Sequence, residues 1–91
     1  MALKERSKIR IDILGQEYVL KGTESPDYLK KVGDFVSNKM DQVYKINPIY
    51  GPTKIAVLAS LQIADEYQKL KDDYEKIVEE LRVLDKIHKI G

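Results

Sequence analysis

Ninety-one residues carrying 16 basic and 15 acidic side chains, 43% apolar and 34% charged, amount to one small domain with a formal net charge of +1. So even a balance provides no bulk field for nucleic acid, and the lack of cysteine excludes a disulfide framework, a thiolate nucleophile and a thiolate metal site. No apolar run approaches about 18 residues and MALKERSK has no apolar core behind its basic start, so a cytoplasmic chain without secretion signal or membrane span is expected.

The first element is KIRIDIL at residues 8–14, where Ile9, Ile11 and Ile13 alternate with Lys8, Arg10 and Asp12, the pattern of a half-buried strand. Gly15-Gln16 suits a two-residue turn with glycine first, and EYVLKG returns as the second strand of a hairpin. With Leu14 opposite Glu17, Ile13 faces Tyr18, Ile11 faces Leu20, Ile9 faces Gly22, Asp12 faces Val19 and Arg10 faces Lys21. Two strands alone are marginal in water, so their apolar face requires helices or another chain.

Helix one starts at SPDYLKKV, with Ser25 as N-cap, Pro26 in the first turn and Asp27 at the positive end of the dipole. Leu29, Val32, Val36, Met40 and Val43, flanked by Tyr28, Phe35 and Tyr44, form a broad apolar stripe, and Gly33 within it suggests close packing. INPIYGPT, with two prolines and a glycine, ends this helix, and Thr53 is the expected cap of helix two. From Thr53 to Ile90 neither proline nor glycine intervenes, so helix two extends for about 57 Å, farther than a compact head of this size, and its distal part should project.

Helix two changes character along its length. Ile55, Ala56, Val57, Leu58, Ala59, Leu61 and Ala64 surround its first part, as expected of a segment enclosed by the hairpin, helix one and a second chain. Ile63, Tyr67, Leu70, Tyr74, Ile77, Leu81, Leu84 and His88 then follow at alternating spacings of four and three, a heptad seam. Each large side chain left in water forfeits about 1.5 to 3 kcal/mol, so the seam demands a partner helix. The division is thus a globular head over residues 1–66 and a coiled-coil extension over 67–91. The fold class is α+β: an N-terminal β-hairpin, a short helix and a long C-terminal helix forming an intermolecular coiled coil. Flanking charges leave the direction open, because in a parallel pair Glu66 meets Lys71 favourably whereas Glu80 meets Asp85 unfavourably. Tyrosine at two seam positions, with Val78 and Ile87 beside it, hints at a wider bundle such as a dimer of dimers.

Chemistry-bearing groups are sparse. His88 has no second histidine at ligand spacing, and Asp72, Asp73, Glu75, Glu79 and Glu80 read as the solvated face of a coil rather than a cation site. No phosphate-binding glycine loop, nucleophile elbow or nucleic-acid motif is present, so neither catalysis nor a cofactor is expected. Arg10 opposite Lys21, with Lys8 nearby, places like charges across a ladder at a mild cost, which reads as either splayed solvated side chains or a surface for an anionic protein. Lys30, Lys31, Lys39 and Lys45 extend basic character along helix one.

IRIDILGQEYVLKGTES, the helix opening at Pro26 and KIAVLASLQIADEYQKLK together resemble the ZapA family of bacterial cell-division proteins over roughly residues 8–80. The likeness rests on Ile13, Gly15 and Tyr18, on GTES at residues 22–25 and on AVLASLQIADEY from Ala56 to Tyr67. It implies a non-enzymatic, cytoplasmic partner of the tubulin-like division GTPase FtsZ. Such a protein is a homodimer, often paired into tetramers, that cross-links FtsZ filaments at midcell through its charged head. Arg10, Lys21, Lys30, Lys31 and Lys39 are the candidate FtsZ contacts; Ile63, Tyr67, Leu70, Tyr74, Ile77, Leu81 and Leu84 are the candidate oligomerisation residues. Two rivals are a prefoldin-like chaperone or adaptor, in which the hairpin would lie between the long helices rather than before them, and a small dimeric nucleic-acid-binding regulator, for which no recognition helix is evident.

Overall fold

The structure is a computed structural model and describes residues 6–90, with side chains described through Ile87. Four elements follow in chain order: β1 (Ser7–Ile13), β2 (Gln16–Gly22), α1 (Pro26–Ile46) and α2 (Pro52–Ile90). The chain divides into two units, one ending at Ser60 and the other starting at Leu61.

β1 and β2 pair antiparallel, with Ile9 opposite Leu20, Ile11 opposite Tyr18 and Ile13 opposite Gln16. The expected register is therefore wrong by two residues. The turn is Leu14-Gly15, and both residues have positive φ, 52° and 78°, the signature of a type I′ turn rather than the II′ turn read from Gly15-Gln16. A left-handed leucine costs on the order of 1 kcal/mol. Packing offsets that cost, because the Leu14 side chain lies against the cluster formed by Val43, Ile55 and Ala59. A shift of two residues leaves every side chain on its original face, so β1 still buries Ile11 and exposes Lys8, Arg10 and Asp12.

α1 begins where the sequence placed it. The Tyr28 backbone N–H donates to Ser25 Oγ at 3.2 Å, Pro26 opens the helix and Asp27 lies in its first turn. At the other end the Asn47 N–H donates to the Val43 carbonyl at 3.0 Å. α1 lies chiefly over β1, and the Ser37 hydroxyl donates to the Asp12 carbonyl at 3.0 Å, tying helix to strand. Gly33 is buried at the crossing, where an added Cβ would stand 2.9 Å from both Cδ1 and Cγ2 of Ile11.

Gly33→Ala therefore sets two effects against each other. Alanine gains about 1 kcal/mol of helix propensity, but overpacking a β-branched neighbour with a stiff χ1 costs about 1 to 3 kcal/mol. A net loss is expected, seen as a lower melting temperature at fixed protein concentration; a higher one would show that Ile11 yields freely.

α2 starts one residue before the expected Thr53. Pro52 occupies the first helical position and the Ile55 N–H donates to the Gly51 carbonyl at 3.1 Å, so Thr53 lies inside the first turn instead of capping it. The helix then continues for 39 residues to Ile90. Its buried residues are Ile55 and Ala59, which with Val43 form the core cluster; Leu14, Met40, Tyr50 and Leu58 pack around it. Ile11 and Leu29 complete the buried hydrophobic set among the described residues. Five side chains are a thin core for a chain of this length.

Candidate interaction surfaces

Outside that core, large apolar side chains are mostly uncovered. Ile63 is half-buried, while Tyr67, Leu70, Tyr74, Ile77, Leu81 and Leu84 are 54–70% exposed in the single chain. Val57 and Leu61 extend exposed apolar surface toward the start of α2. The seam positions lie three and four residues apart and so share one side of the helix. Polar side chains elsewhere on α2 support it locally: Lys69 Nζ lies 2.9 Å from Asp65 Oδ2, Gln68 Nε2 donates to Asp72 Oδ1 at 2.9 Å, and Arg82 lies 3.6 Å from Glu79. The hydrogen bond with Asp65, reinforced by its charge, holds the Lys69 pKa above the ordinary lysine value. The His88 side chain lies outside the described residues.

α1 is less covered than its stripe suggested. Leu29, Gly33 and Val43 are buried and Val36 and Met40 half-buried, but Val32, Tyr28, Phe35 and Tyr44 are exposed. A two-stranded sheet and the first turns of α2 are too small to shield the whole stripe.

The candidate basic residues occupy two surfaces. Arg10 and Lys21 stand on the outer face of the hairpin, and the observed register brings Lys8, not Arg10, directly opposite Lys21. Arg10 instead faces Val19 and reaches diagonally to Glu17, with Nε 4.0 Å from Oε1. Both ends of that pair are well exposed, so it contributes little. Because the opposite face of β1 meets α1 through Ile11 and Gly33, the hairpin's basic face points away from α1. Lys30, Lys31 and Lys39 belong to α1. Lys30 pairs with Asp34 at 2.9 Å, and Lys39 Nζ lies 5.5 Å from the centre of the Phe35 ring. Among the described residues no group of three or more His, Cys, Asp or Glu side chains is arranged to hold a metal ion. Likewise, no described helix is long and apolar enough to cross a membrane.

Sequence reasoning overlooked the corner between α1 and α2. Ile46 and Ile49 are 74% and 92% exposed there, beside a cavity floored by Ile55. The available signal was INPIYGPT itself, in which isoleucines and a tyrosine sit among residues that otherwise mark a polar turn.

A hairpin laid on one helix, followed by a long helix with an uncovered heptad seam, defines the class: an α+β protein of the coiled-coil type. Comparison with known proteins makes this specific. The family model described as "Cell division protein ZapA" matches residues 9–91. Relatives of that name include one from Geobacillus thermodenitrificans (strain NG80-2), 38% identical over 82 residues, covering 90% of each chain. Another, from Shouchella clausii (strain KSM-K16), is 44% identical over 72 residues, covering 79% of this chain and 90% of the relative. The fold is also similar to that of a ZapA mutant dimer from Geobacillus stearothermophilus, with a TM-score of 0.69, 36% identity, and coverage of 90% of this chain and 95% of that one. The chain belongs to the ZapA family of cell division proteins.

Proposed function

We propose that this protein is a non-enzymatic cell-division factor that binds FtsZ and cross-links its filaments, acting in the cytoplasm at midcell. Two copies join through Ile63, Tyr67, Leu70, Tyr74, Ile77, Leu81 and Leu84, with a dimer of dimers as the larger assembly. Residues 1–66 serve as the FtsZ-binding head and 67–91 as the coil. The observation that carries this reading is the continuous exposed seam on α2, supported by the dimeric state of the similar Geobacillus stearothermophilus protein. Joining two chains presents two copies of each head surface, so a weak contact with one filament becomes an effective bridge between two. The work is mechanical and calls for no cofactor.

Co-sedimentation with FtsZ polymers in the presence of GTP tests it. The protein should pellet with the filaments and bundle them, whereas a prefoldin-like chaperone or a nucleic-acid-binding regulator would remain in the supernatant. Arg10, Lys21, Lys30, Lys31 and Lys39 are the proposed contacts, and their division between two surfaces makes the test sharper. Arg10→Glu with Lys21→Glu should abolish pelleting while the chain still assembles, since both side chains are solvent-exposed. Pelleting lost instead with Lys30→Glu and Lys31→Glu would move the FtsZ contact to α1. Pelleting unchanged in both variants would remove Arg10, Lys21, Lys30 and Lys31 from the interface.

A further inference from the structure

The corner between α1 and α2 holds a cavity of about 360 Å³, lined by Leu14, Asp41, Tyr44, Tyr50, Pro52 and Ile55. Its volume lies at the small end of the range for ligand sites, roughly 300 to 1,000 Å³, which suits a side chain better than a cofactor. Five of the six walls are apolar or aromatic and the sixth is a carboxylate. Asp41 has no hydrogen-bond or ion-pair partner among the described residues. Two tyrosine rings beside a half-buried carboxylate that has no protein partner are the elements of a cation receptor: the rings offer negative π faces, the carboxylate a full charge. One ring already meets a cation of the chain itself, Lys54 Nζ standing 4.1 Å from the centre of the Tyr50 ring, so an incoming cation has to share Tyr50 with Lys54 or displace it. Lys54 is not among the lining residues, and neither Lys54 nor Lys45, one helical turn along α1 from Asp41, forms an ion pair with that carboxylate. The start of α2 brings an opposing fractional positive charge to the same corner, smaller than the whole charge of the carboxylate.

We propose that this cavity receives one basic side chain, arginine best, from an extended segment of a protein partner. Arginine fits because its planar head stacks on tyrosine and bonds to a carboxylate at once, while its methylene stem lies along Leu14 and Pro52. Exposed Ile46 and Ile49 supply apolar contact for residues flanking that arginine. The site shares no residue with the proposed FtsZ contacts, so the two readings fail independently.

Titration of the isotope-labelled full chain by NMR with the capped tripeptide acetyl-Leu-Arg-Leu-amide tests the proposal, with the glutamine and glutamate analogues as controls. The arginine peptide should shift the amides of Asp41, Tyr44, Tyr50 and Ile55 saturably, binding about tenfold or more tighter than the glutamine peptide. Asp41→Asn should erase that preference while leaving the rest of the spectrum in place. Should this variant misfold, the three peptides on the unaltered chain decide alone. Equal binding of arginine and glutamine peptides, tighter binding of the glutamate peptide, or no shift at these four amides overturns the proposal. So does a shift of the same amides on simple dilution of the protein, which would assign the cavity to a second copy of the chain.

Discussion

Leu70→Glu combined with Leu81→Glu should convert the assembled protein into single chains. Each leucine belongs to the seam and is 60–70% exposed in one copy, so its burial has to come from another helix. In a pair of identical chains the two substitutions take four such side chains out of the seam, about 6 to 12 kcal/mol of association free energy or roughly four to nine orders of magnitude in affinity, before the repulsion of facing carboxylates is counted. The head, whose core consists of Val43, Ile55 and Ala59 with Ile11 and Leu29, contains neither leucine and should retain its fold. Sedimentation should report the mass of one chain, and on the proposed function FtsZ bundling should vanish while a single head should retain weak binding to a filament. Bundling by a monomeric variant would separate cross-linking from the seam. As a contrast, Glu75→Lys, at an exposed position off the seam, should alter neither mass nor bundling.

Ile55→Ala should be the most damaging single substitution in the head. Ile55 is only 1% exposed, the most completely buried large side chain among the described residues, and it holds the start of α2 against Val43 with Leu14 and Tyr50 packed around the cluster. Truncation opens a cavity and costs about 2 to 5 kcal/mol, a large share of the stability of a domain this small. It also withdraws the packing that sustains the left-handed backbone at Leu14, so the hairpin turn should loosen with it. Thermal unfolding followed by circular dichroism at one fixed concentration is the appropriate measurement, because association raises the apparent stability. Ile49→Ala serves as the control: at 92% exposure its effect should stay within about 0.5 kcal/mol. Comparable losses at both positions would mean that the core is not where these contacts put it.

Local chemistry in the sequence carried through to the fold wherever a residue's role depends on its near neighbours. Ser25 followed by Pro26 and Asp27 specified the start of α1, the alternation in β1 identified the buried isoleucines, and the recurrence from Ile63 to Leu84 marked one side of α2. The turn was misread because glycine-first logic is local, whereas Leu14 takes its positive φ for the sake of a core contributed by α1 and α2. The like-charge pair followed the same error, passing from Arg10 to Lys8 opposite Lys21. Thr53 lost its capping role to Gly51 and Pro52, a combination that was present in the sequence but outcompeted in the reading by a more familiar cap. The alternation in β1 and β2 did show that Arg10 and Lys21 share the hairpin face opposite the isoleucines. Where that face lies relative to Lys30, Lys31 and Lys39 was not legible, because it depends on how α1 crosses the hairpin, a contact fixed by Ile11 against Gly33.

Everything mechanical rests on the seam of α2 being covered by another copy, and sedimentation of the unaltered chain over a range of micromolar concentrations measures that directly. The expected result is a mass of two or more chains throughout the range, with the helix content of a fully formed α2. A folded species with the mass of one chain and the same helix content would contradict the account, since the exposed leucines, isoleucines and tyrosines would then be stable in water without a partner.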